Sequence, residues 1–460
     1  MGNFLSLTRT PHPPVNKPTK ISAAVTSTAL SLLFIGVYDG CAWVTAHRTD
    51  VHTWHYTWER FLPFVPVLIL PYMSIDLFFV AGPFLCTTRN ELRVLTQRIT
   101  FAILVAGAFF LLVPLHLDGM RPETSGWTAP MFRFLHGFDQ TSNLFPSLHI
   151  ALRTILAVHY ARHTKGVLQA ATRIWFSLIG FSTLFIYQHH FVDVAGGFIL
   201  GAITIYLFHE EDIRLPVLPN HRVGFYYAAV AGLAIAMALI GWPWAGILFW
   251  PALACALTAA AYWGIGPSIY RKTNGQLPWT TRLIFAPCLI GQKLSLRHYR
   301  RNCKAWNKIT PNLWISSILT KKEAAEAQRQ GVTAILDLTA EFSETIRLRA
   351  LDYKNIPILD LTAPTQLQLA EAANFTHQQT KHGIVCVHCK VGYSRSAVVV
   401  GAYLLASGQT TTVEQTVAML KSARPSIIIR PEAIKALQEF SQTRRSNFKS
   451  THEMAIAVPV

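Results

Sequence analysis

From Val223 to Tyr270 the chain carries not one Asp, Glu, Lys or Arg. A helix needs about 20 mainly apolar residues to cross a bilayer, and the first 265 residues supply such segments repeatedly. They lie near 22–45, 61–85, 99–117, 145–161, 173–189, 191–208, 223–242 and 244–264. An all-α polytopic membrane bundle of about eight helices is expected over residues 21–265, with a sharp turn near "HHFVD" between the fifth and sixth. Charged residues make up 14% of the chain, against about a quarter in soluble domains.

The net charge of +17 invites a nucleic-acid reading, but its placement argues otherwise. Lys and Arg gather at the edges of apolar segments and just before the polar C-terminal part, the pattern of membrane topology and anionic headgroups. No nucleic-acid partner is expected. Arg9, Lys17 and Lys20 mark the tail 1–20; Arg89, Arg93 and Arg98 mark the loop after the second span. Arg162, Lys165 and Arg173 mark the loop after the fourth, while Asp118–Asn143 is close to neutral. Basic loops stay inside, so eight spans return the chain to the cytoplasm. The expectation is an integral membrane protein (of the cell inner membrane, if bacterial) with a cytoplasmic C-terminal domain. The seven cysteines, 41, 86, 255, 288, 303, 386 and 389, have no disulfide-like pattern and read as free thiols.

Polar residues that survive among the apolar spans fall in three places. "VPLHLDGMRP" ends the third span with Arg121; "NLFPSLHIALR" opens the fourth with Ser147 and His149. "STLFIYQHHFVDVAGG" ends the fifth with His189 and Asp193 four apart. Under the topology above, all three sets meet at the outer face. An Asp can orient a nucleophilic His, a second His can protonate a leaving oxygen, and Arg with Ser can grip a phosphate. Gly197 and Gly201 form a small-xxx-small packing face instead.

These residues resemble the type 2 phosphatidic acid phosphatases, whose pattern is K-x6-RP, PSGH and SR-x5-H-x3-D. The likeness covers roughly residues 60–210 and implies a six-helix catalytic core. It makes His189 the nucleophile, Asp193 its orienter, His149 the general acid, and Arg121 and Ser147 phosphate ligands. The chain departs from the pattern at Pro114, Leu148 and Thr183, where the family has Lys, Gly and Arg. "PSLH" and "ST-x5-H-x3-D" are more similar to the inositol-phosphorylceramide-synthase branch, so phosphotransfer or phosphodiester chemistry stays open beside phosphomonoester hydrolysis. Arg153, one turn beyond His149, is a candidate for one missing cation.

Residues 266–304 read as a basic juxtamembrane linker, either an interfacial helix near Leu283–Leu296 or a plain tether. Residues 305–445 then alternate. "NLWISSI", "VTAILDLT", "YKNIPIL" and "GIVCVHC" read as strands, and "KKEAAEAQRQ", "TQLQLAEAANFTHQQT" and "SAVVVGAYLLAS" as helices. An α/β cysteine-phosphatase domain is expected, followed by a tail over 446–460.

The centre of that domain is "HCKVGYSRS", His388 to Ser396. A cysteine ends a strand and a helix begins after a glycine-bearing loop, so backbone N–H groups and the helix N-terminus face one anion. The same field favours the Cys389 thiolate, and Arg395 can clamp two phosphate oxygens. The C-x5-R arrangement resembles the dual-specificity phosphatases. By that resemblance Cys389 is the nucleophile and Arg395 stabilises the transition state. Ser396 assists release of the thiophosphate, His388 tunes the loop, and Lys390, Val391, Gly392, Tyr393 and Ser394 cradle the phosphate. Asp360, about thirty residues upstream, stands where the family has its general acid; Asp352 is weaker and Asp337 reads as structural. "HCKVGYSRSA" with "LDLTAPT" is similar to the phosphatidylglycerophosphate phosphatase branch, and Lys390 is a feature shared with lipid-directed members.

The sequence therefore points to a phosphoric monoester hydrolase with a phospholipid substrate at Cys389 and a second, histidine-dependent lipid site outside. Neither mechanism calls for a metal ion or cofactor. The alternative is a phosphatase of phosphoproteins whose membrane half senses lipid.

Overall fold

The computed structural model describes residues 17–456 apart from 118–121, 139–141, 211–214, 216, 242–243 and 302. Arg121 and the first 16 residues thus lie outside the described residues. The chain divides into two compact units, Met1–Asp212 and Ile213–Val460.

The first unit is helical. α1 (Lys20–Ala46), α2 (Ile69–Leu85), α3 (Arg89–Leu112), α4 (Ala129–Phe138), α5 (Leu148–His163), α6 (Gly166–Phe185) and α7 (Phe191–Leu207) follow in order. Residues from α1, α2, α3, α5, α6 and α7 share one apolar core. Thr19, Thr88 and Ser147 cap α1, α3 and α5 by accepting from the backbone N–H three residues on, which satisfies a donor each helix start leaves open. The α6–α7 turn is as short as expected, and Tyr187 turns it with φ of 53°. Glycine is required where α7 meets α5. A Cβ on Gly197 would stand 2.2 Å from the Ser147 carbonyl oxygen, and one on Gly201 2.8 Å from Thr154 Cβ.

The second unit opens with α8 (His221–Ile240) and α9 (Phe249–Ala260), packed on each other, the latter continued by a π-helical turn, Ala261–Ile265. All eight apolar segments of the sequence contain a helix. Five helices among the described residues are long and apolar enough to cross a membrane: Lys20–Ala46, Pro66–Leu85, Arg89–Leu112, His221–Ile240 and Gly246–Ile265.

The stretch read as a linker is ordered rather than a plain tether. It forms α10 (Trp279–Ile284) and α11 (Ala286–Arg300), and bonds to the sheet domain at several points. The Glu344 N–H donates to the Gly275 carbonyl at 2.7 Å, Leu277 N–H to Ser343 Oγ at 3.0 Å, and Arg300 Nη1 to the Ile318 carbonyl at 3.0 Å. A Cβ on Gly275 would clash with the Tyr353 hydroxyl at 2.6 Å, and its φ is +73°.

The sheet has five strands: β1 (Trp306–Thr310), β2 (Leu313–Ser316), β3 (Val332–Thr339), β4 (Asp352–Ile358) and β5 (Ile384–His388). Their order is β1-β2-β5-β3-β4, antiparallel only between β1 and β2. α12 (Lys321–Arg329) and α13 (Ile346–Arg349) share a core with Trp314, Ile335 and Cys386. α14 (Gln366–Gln379), α15 (Arg395–Ala406), α16 (Val413–Ala423) and α17 (Pro431–Ile456) share the larger core around Ile315, Leu336 and Val387. Alternate residues of one strand thus feed opposite faces, as the pleat requires.

Candidate active site

β5 is the central strand, flanked by β2 and β3, and the loop Cys389–Ser394 leaves its carboxyl end for the start of α15. Open α/β sheets bind ligands at that edge. Gly392 has φ of +79°, and a Cβ there would lie 2.6 Å from the Ser316 carbonyl oxygen; only glycine fits. Its N–H donates to Cys389 Sγ at 3.3 Å, and Ser396 Oγ lies 3.4 Å from the same sulfur. Burial pushes the Cys389 thiol up, but the Arg395 charge and the Ser396 contacts outweigh it and hold the pKa below a thiol's ordinary value. The thiolate is the nucleophilic form.

The rest of the loop is held from outside. Arg424 Nη2 donates to the Val391 carbonyl at 3.0 Å, Ile428 N–H donates to that of Tyr393 at 3.1 Å, and the Tyr393 hydroxyl donates to the Tyr299 carbonyl at 3.2 Å. Ser394 is the N-cap residue of α15.

Arg395 is buried and locked. Its Nη1 and Nη2 donate to Glu341 Oε2 and Oε1 at 3.2 and 2.8 Å, and Nη1 also to the Ile358 carbonyl at 2.8 Å. Burial disfavours the charge, yet Glu341, Asp360 and Cys389 raise the guanidinium pKa well above its ordinary value. Its Nε has no hydrogen-bond partner among the described residues, which leaves a donor for an entering anion.

Asp360 follows β4 and faces the loop. Its Oδ1 lies 3.4 Å from Arg395 Nη2 and its Oδ2 3.4 Å from Lys390 Nζ, with 26% of the side chain exposed. Burial pushes its pKa up, but Arg395 and Lys390 pull it further down, below the ordinary carboxylate value. Lys390 Nζ also donates to Gln292 Oε1 on α11 at 2.7 Å. The acid loop is gripped from a second side. The Tyr262 hydroxyl donates to the Asp360 carbonyl at 2.8 Å, and Asn220 Nδ2 to the carbonyl of Leu361 at 2.7 Å. Leu361 takes φ of 61°, a backbone state that needs such support. Asp352, at the amino end of parallel β4, stands at the opposite edge of the sheet.

His388 lies behind the loop, 1% exposed, its Nε2 2.9 Å from Glu344 Oε2 and 3.7 Å from Asp337 Oδ1. Burial lowers its pKa, but these two acids overcome that and raise it. Asp337 is buried between Lys272 and Tyr353, whose hydroxyl donates to its Oδ2 at 2.7 Å. Burial raises the Asp337 pKa, and the charges of Lys272 and His388 bring it down to about 2.

A family model, the dual specificity phosphatase catalytic domain, matches residues 313–443. The chain is 26% identical over 177 residues to the phosphatidylglycerophosphate phosphatase PTPMT2 of Arabidopsis thaliana, covering 37% of this chain and 77% of that protein. It is 32% identical over 141 residues to dual specificity protein phosphatase 19 of Mus musculus, covering 30% of this chain and 63% of that protein. With human dual specificity protein phosphatase 14 it shares 30% identity over 149 residues, 32% of this chain and 73% of the relative. The chain belongs to the dual-specificity phosphatases. It is a phosphoric monoester hydrolase.

In this dual-specificity phosphatase, several site groups had no motif to announce them. Glu341, Gln292, Arg424, Tyr262 and Asn220 act from elements far away in sequence. One signal was available for Glu341: a guanidinium buried beside a thiolate needs a carboxylate, and "LTAEF" follows the neighbouring strand.

The first unit brings together part of its own polar set. The Ser147 N–H donates to the Asp193 carbonyl at 3.0 Å, joining the starts of α5 and α7. His189 Nδ1 lies 3.7 Å from Asp193 Oδ2, whose nearer partner is the His190 N–H at 2.9 Å. His190 itself turns to Glu59, 3.1 Å away. His149 stacks on Tyr72 at 4.2 Å between ring centroids, and its Nε2 is buried with no hydrogen-bond partner among the described residues. Ser147 Oγ accepts from the Ile150 N–H, so its hydroxyl also caps α5. Arg153 Nε donates to the Phe176 carbonyl of α6 at 2.5 Å.

Proposed function

We propose that this protein is a membrane-embedded lipid phosphatase whose Cys389 site removes a terminal phosphate from a phospholipid headgroup. The observation that carries the reading is the grip of the α8–α9 end on the acid loop. Tyr262 and Asn220 bond the Asp360–Leu361 backbone, and the helices they belong to or cap are long and apolar enough to span a bilayer. An acid loop bonded to the end of two spans stands at headgroup height, where phospholipid is concentrated. The likeness to a phosphatidylglycerophosphate phosphatase supports the same substrate class. The basic loops support a cytoplasmic location for this site.

In the reaction, Cys389 Sγ attacks phosphorus while the bond to the headgroup oxygen breaks. Asp360 gives its proton to that oxygen, and the lipid leaves as an alcohol. The phosphate dianion takes over the attention of Arg395 and Lys390, which restores the proton affinity those cations suppress in free Asp360. Arg395 and the loop N–H groups hold the three equatorial oxygens. A water then attacks the cysteinyl phosphate, losing its proton to the Asp360 carboxylate. The S–P bond breaks, Ser396 donates a hydrogen bond to the departing thiolate, and inorganic phosphate is released.

Two further readings have their own support. The likeness to dual specificity phosphatases 14 and 19 favours phosphoprotein substrates, with the membrane half as a lipid sensor. The approach of His189 to Asp193 and the joined starts of α5 and α7 favour a second, outer-face phosphatase or headgroup transferase working through a phosphohistidine. Protein reconstituted in vesicles separates them when given phosphatidylglycerophosphate, phosphatidic acid and phosphotyrosine peptides. Lipid hydrolysis lost in Cys389→Ser supports the main reading; peptide hydrolysis alone defeats it. The outer site falls if His189→Ala leaves all lipid turnover unchanged.

A further inference from the structure

The reaction above makes no use of Glu91, His159 and His163, a cluster in the first unit. Glu91 lies in the first turn of α3; His159 and His163 stand one turn apart on α5 and so project from one face. Glu91 Oε1 is 2.7 Å from His163 Nε2 and 3.8 Å from His159 Nδ1. All three donor atoms fall within 4.8 Å of one another. Tetrahedral zinc with N and O ligands at about 2.0–2.2 Å puts those atoms roughly 3.3–3.5 Å apart. The observed separations bracket that spacing.

Two of the donors are also oriented from behind. His159 Nε2 lies 3.0 Å from the Gly82 carbonyl, which can only accept, so the ring hydrogen belongs on Nε2 and the Nδ1 lone pair faces the cluster. Glu91 Oε2 accepts from the Thr87 N–H at 2.7 Å and the Thr87 hydroxyl at 3.0 Å, which aims Oε1 inward. Outer partners of this kind set tautomer and direction at metal centres. Glu91 and His159 are buried, and 16% of the His163 side chain remains exposed, giving an ion a way in.

Without a cation the cluster is incomplete. The His159 Nδ1 lone pair points toward a buried carboxylate oxygen 3.8 Å away, beyond hydrogen-bond distance. The nearby Arg162 is committed to Glu210. The other convergence of such groups among the described residues, Asp337, Glu344 and His388, differs because the Lys272 ammonium already sits on Asp337.

We propose that Glu91, His159 and His163 bind a divalent cation of the zinc class, tying the start of α3 to the end of α5. Two imidazoles one helical turn apart with one carboxylate suit zinc better than magnesium or calcium, which prefer oxygen ligands. Three protein ligands leave one position for water. The proposal does not depend on the substrate of Cys389.

Full-length protein, freed of any affinity tag and stripped with chelator, is dialysed against Zn²⁺ or Co²⁺ and its metal content measured. The expected result is one tightly held equivalent in the wild type and in Cys389→Ser. That equivalent is lost in His159→Asn and His163→Gln, with a tetrahedral-type Co²⁺ absorption band that vanishes with it. Thr87→Val, which keeps all three ligands, weakens binding about 10- to 100-fold. Each variant is compared by its elution as a folded, detergent-solubilised monomodal species. Folded His159→Asn and His163→Gln proteins that keep the full equivalent overturn the proposal, as does a wild type that retains no tight metal.

Discussion

Glu341 holds Arg395 by two near-parallel hydrogen bonds of 3.2 and 2.8 Å, with neither side chain more than 4% exposed. The fork geometry fixes the guanidinium plane before substrate arrives, and fixed orientation is much of what a phosphate clamp contributes. Glu341→Gln keeps the shape but loses the charge. A charge-assisted hydrogen bond contributes about 1.5–3 kcal/mol, so kcat/KM should fall about 10- to 100-fold. Arg395→Lys should be worse, because an ammonium cannot make the paired contact.

Tyr262 and Asn220 reach the acid loop through its backbone, so the part of their loss that concerns catalysis should act through Asp360. Tyr262→Phe and Asn220→Ala are expected to slow phosphate release from alkyl phosphates several-fold. An aryl phosphate with an acidic leaving group, which needs little protonation, should be hydrolysed nearly as fast as before. Equal losses on both substrates would mark a purely structural role.

The pH profiles follow from two groups, Cys389 read in kcat/KM of the free enzyme and Asp360 read in kcat of the substrate complex. Cys389 must be ionised, and its lowered pKa carries activity to lower pH than an ordinary thiol would allow. Asp360 must be protonated when substrate is bound, so activity should fall again as pH rises. Asp360→Asn should lower the rate and remove the basic limb, while leaving the acidic limb in place. A basic limb that survives Asp360→Asn would assign the proton to another group.

Lys272 and Asp337 form a buried ion pair, 2% and 0% exposed. The Asp337 pKa of about 2 lies below the unfolded value of about 3.9. The stability it supplies is therefore present above pH 4 and is lost as pH falls toward 2. Lys272→Met strands the carboxylate and should cost about 3–5 kcal/mol, read from denaturant unfolding. Adding Asp337→Leu should recover part of the loss.

Legibility in the sequence tracked contiguity. "VHCKVGYSRSA" places the strand end, the glycine turn, the nucleophile and the helix start in one stretch, and the structure has β5, Gly392, Cys389 and α15 in that order. The β3 strand was read to the residue from "VTAILDLT", because a buried parallel strand is a continuous apolar run between turns. The segment 266–304 was harder. Its Arg and Lys suggest a tether, yet Lys272 is buried by a partner 65 residues away, and no local pattern encodes that. Gln292, Tyr262 and Asn220 are invisible for the same reason: each is a single polar residue whose partner is set only by tertiary folding. The proposed cation site is a further case, since Glu91 and His163 are 72 residues apart.

The central claim, that Cys389 takes phosphate from a lipid headgroup, is tested most directly by trapping the intermediate. Ser396→Ala should slow loss of phosphate from the cysteine more than its formation. That variant, in vesicles containing phosphatidylglycerophosphate labelled in its terminal phosphate, should acquire up to one label per chain within the first turnover, located on Cys389 after neutral detergent quench and proteolysis. No label on Cys389 under conditions where lipid is hydrolysed, or label on His189 instead, would contradict the account.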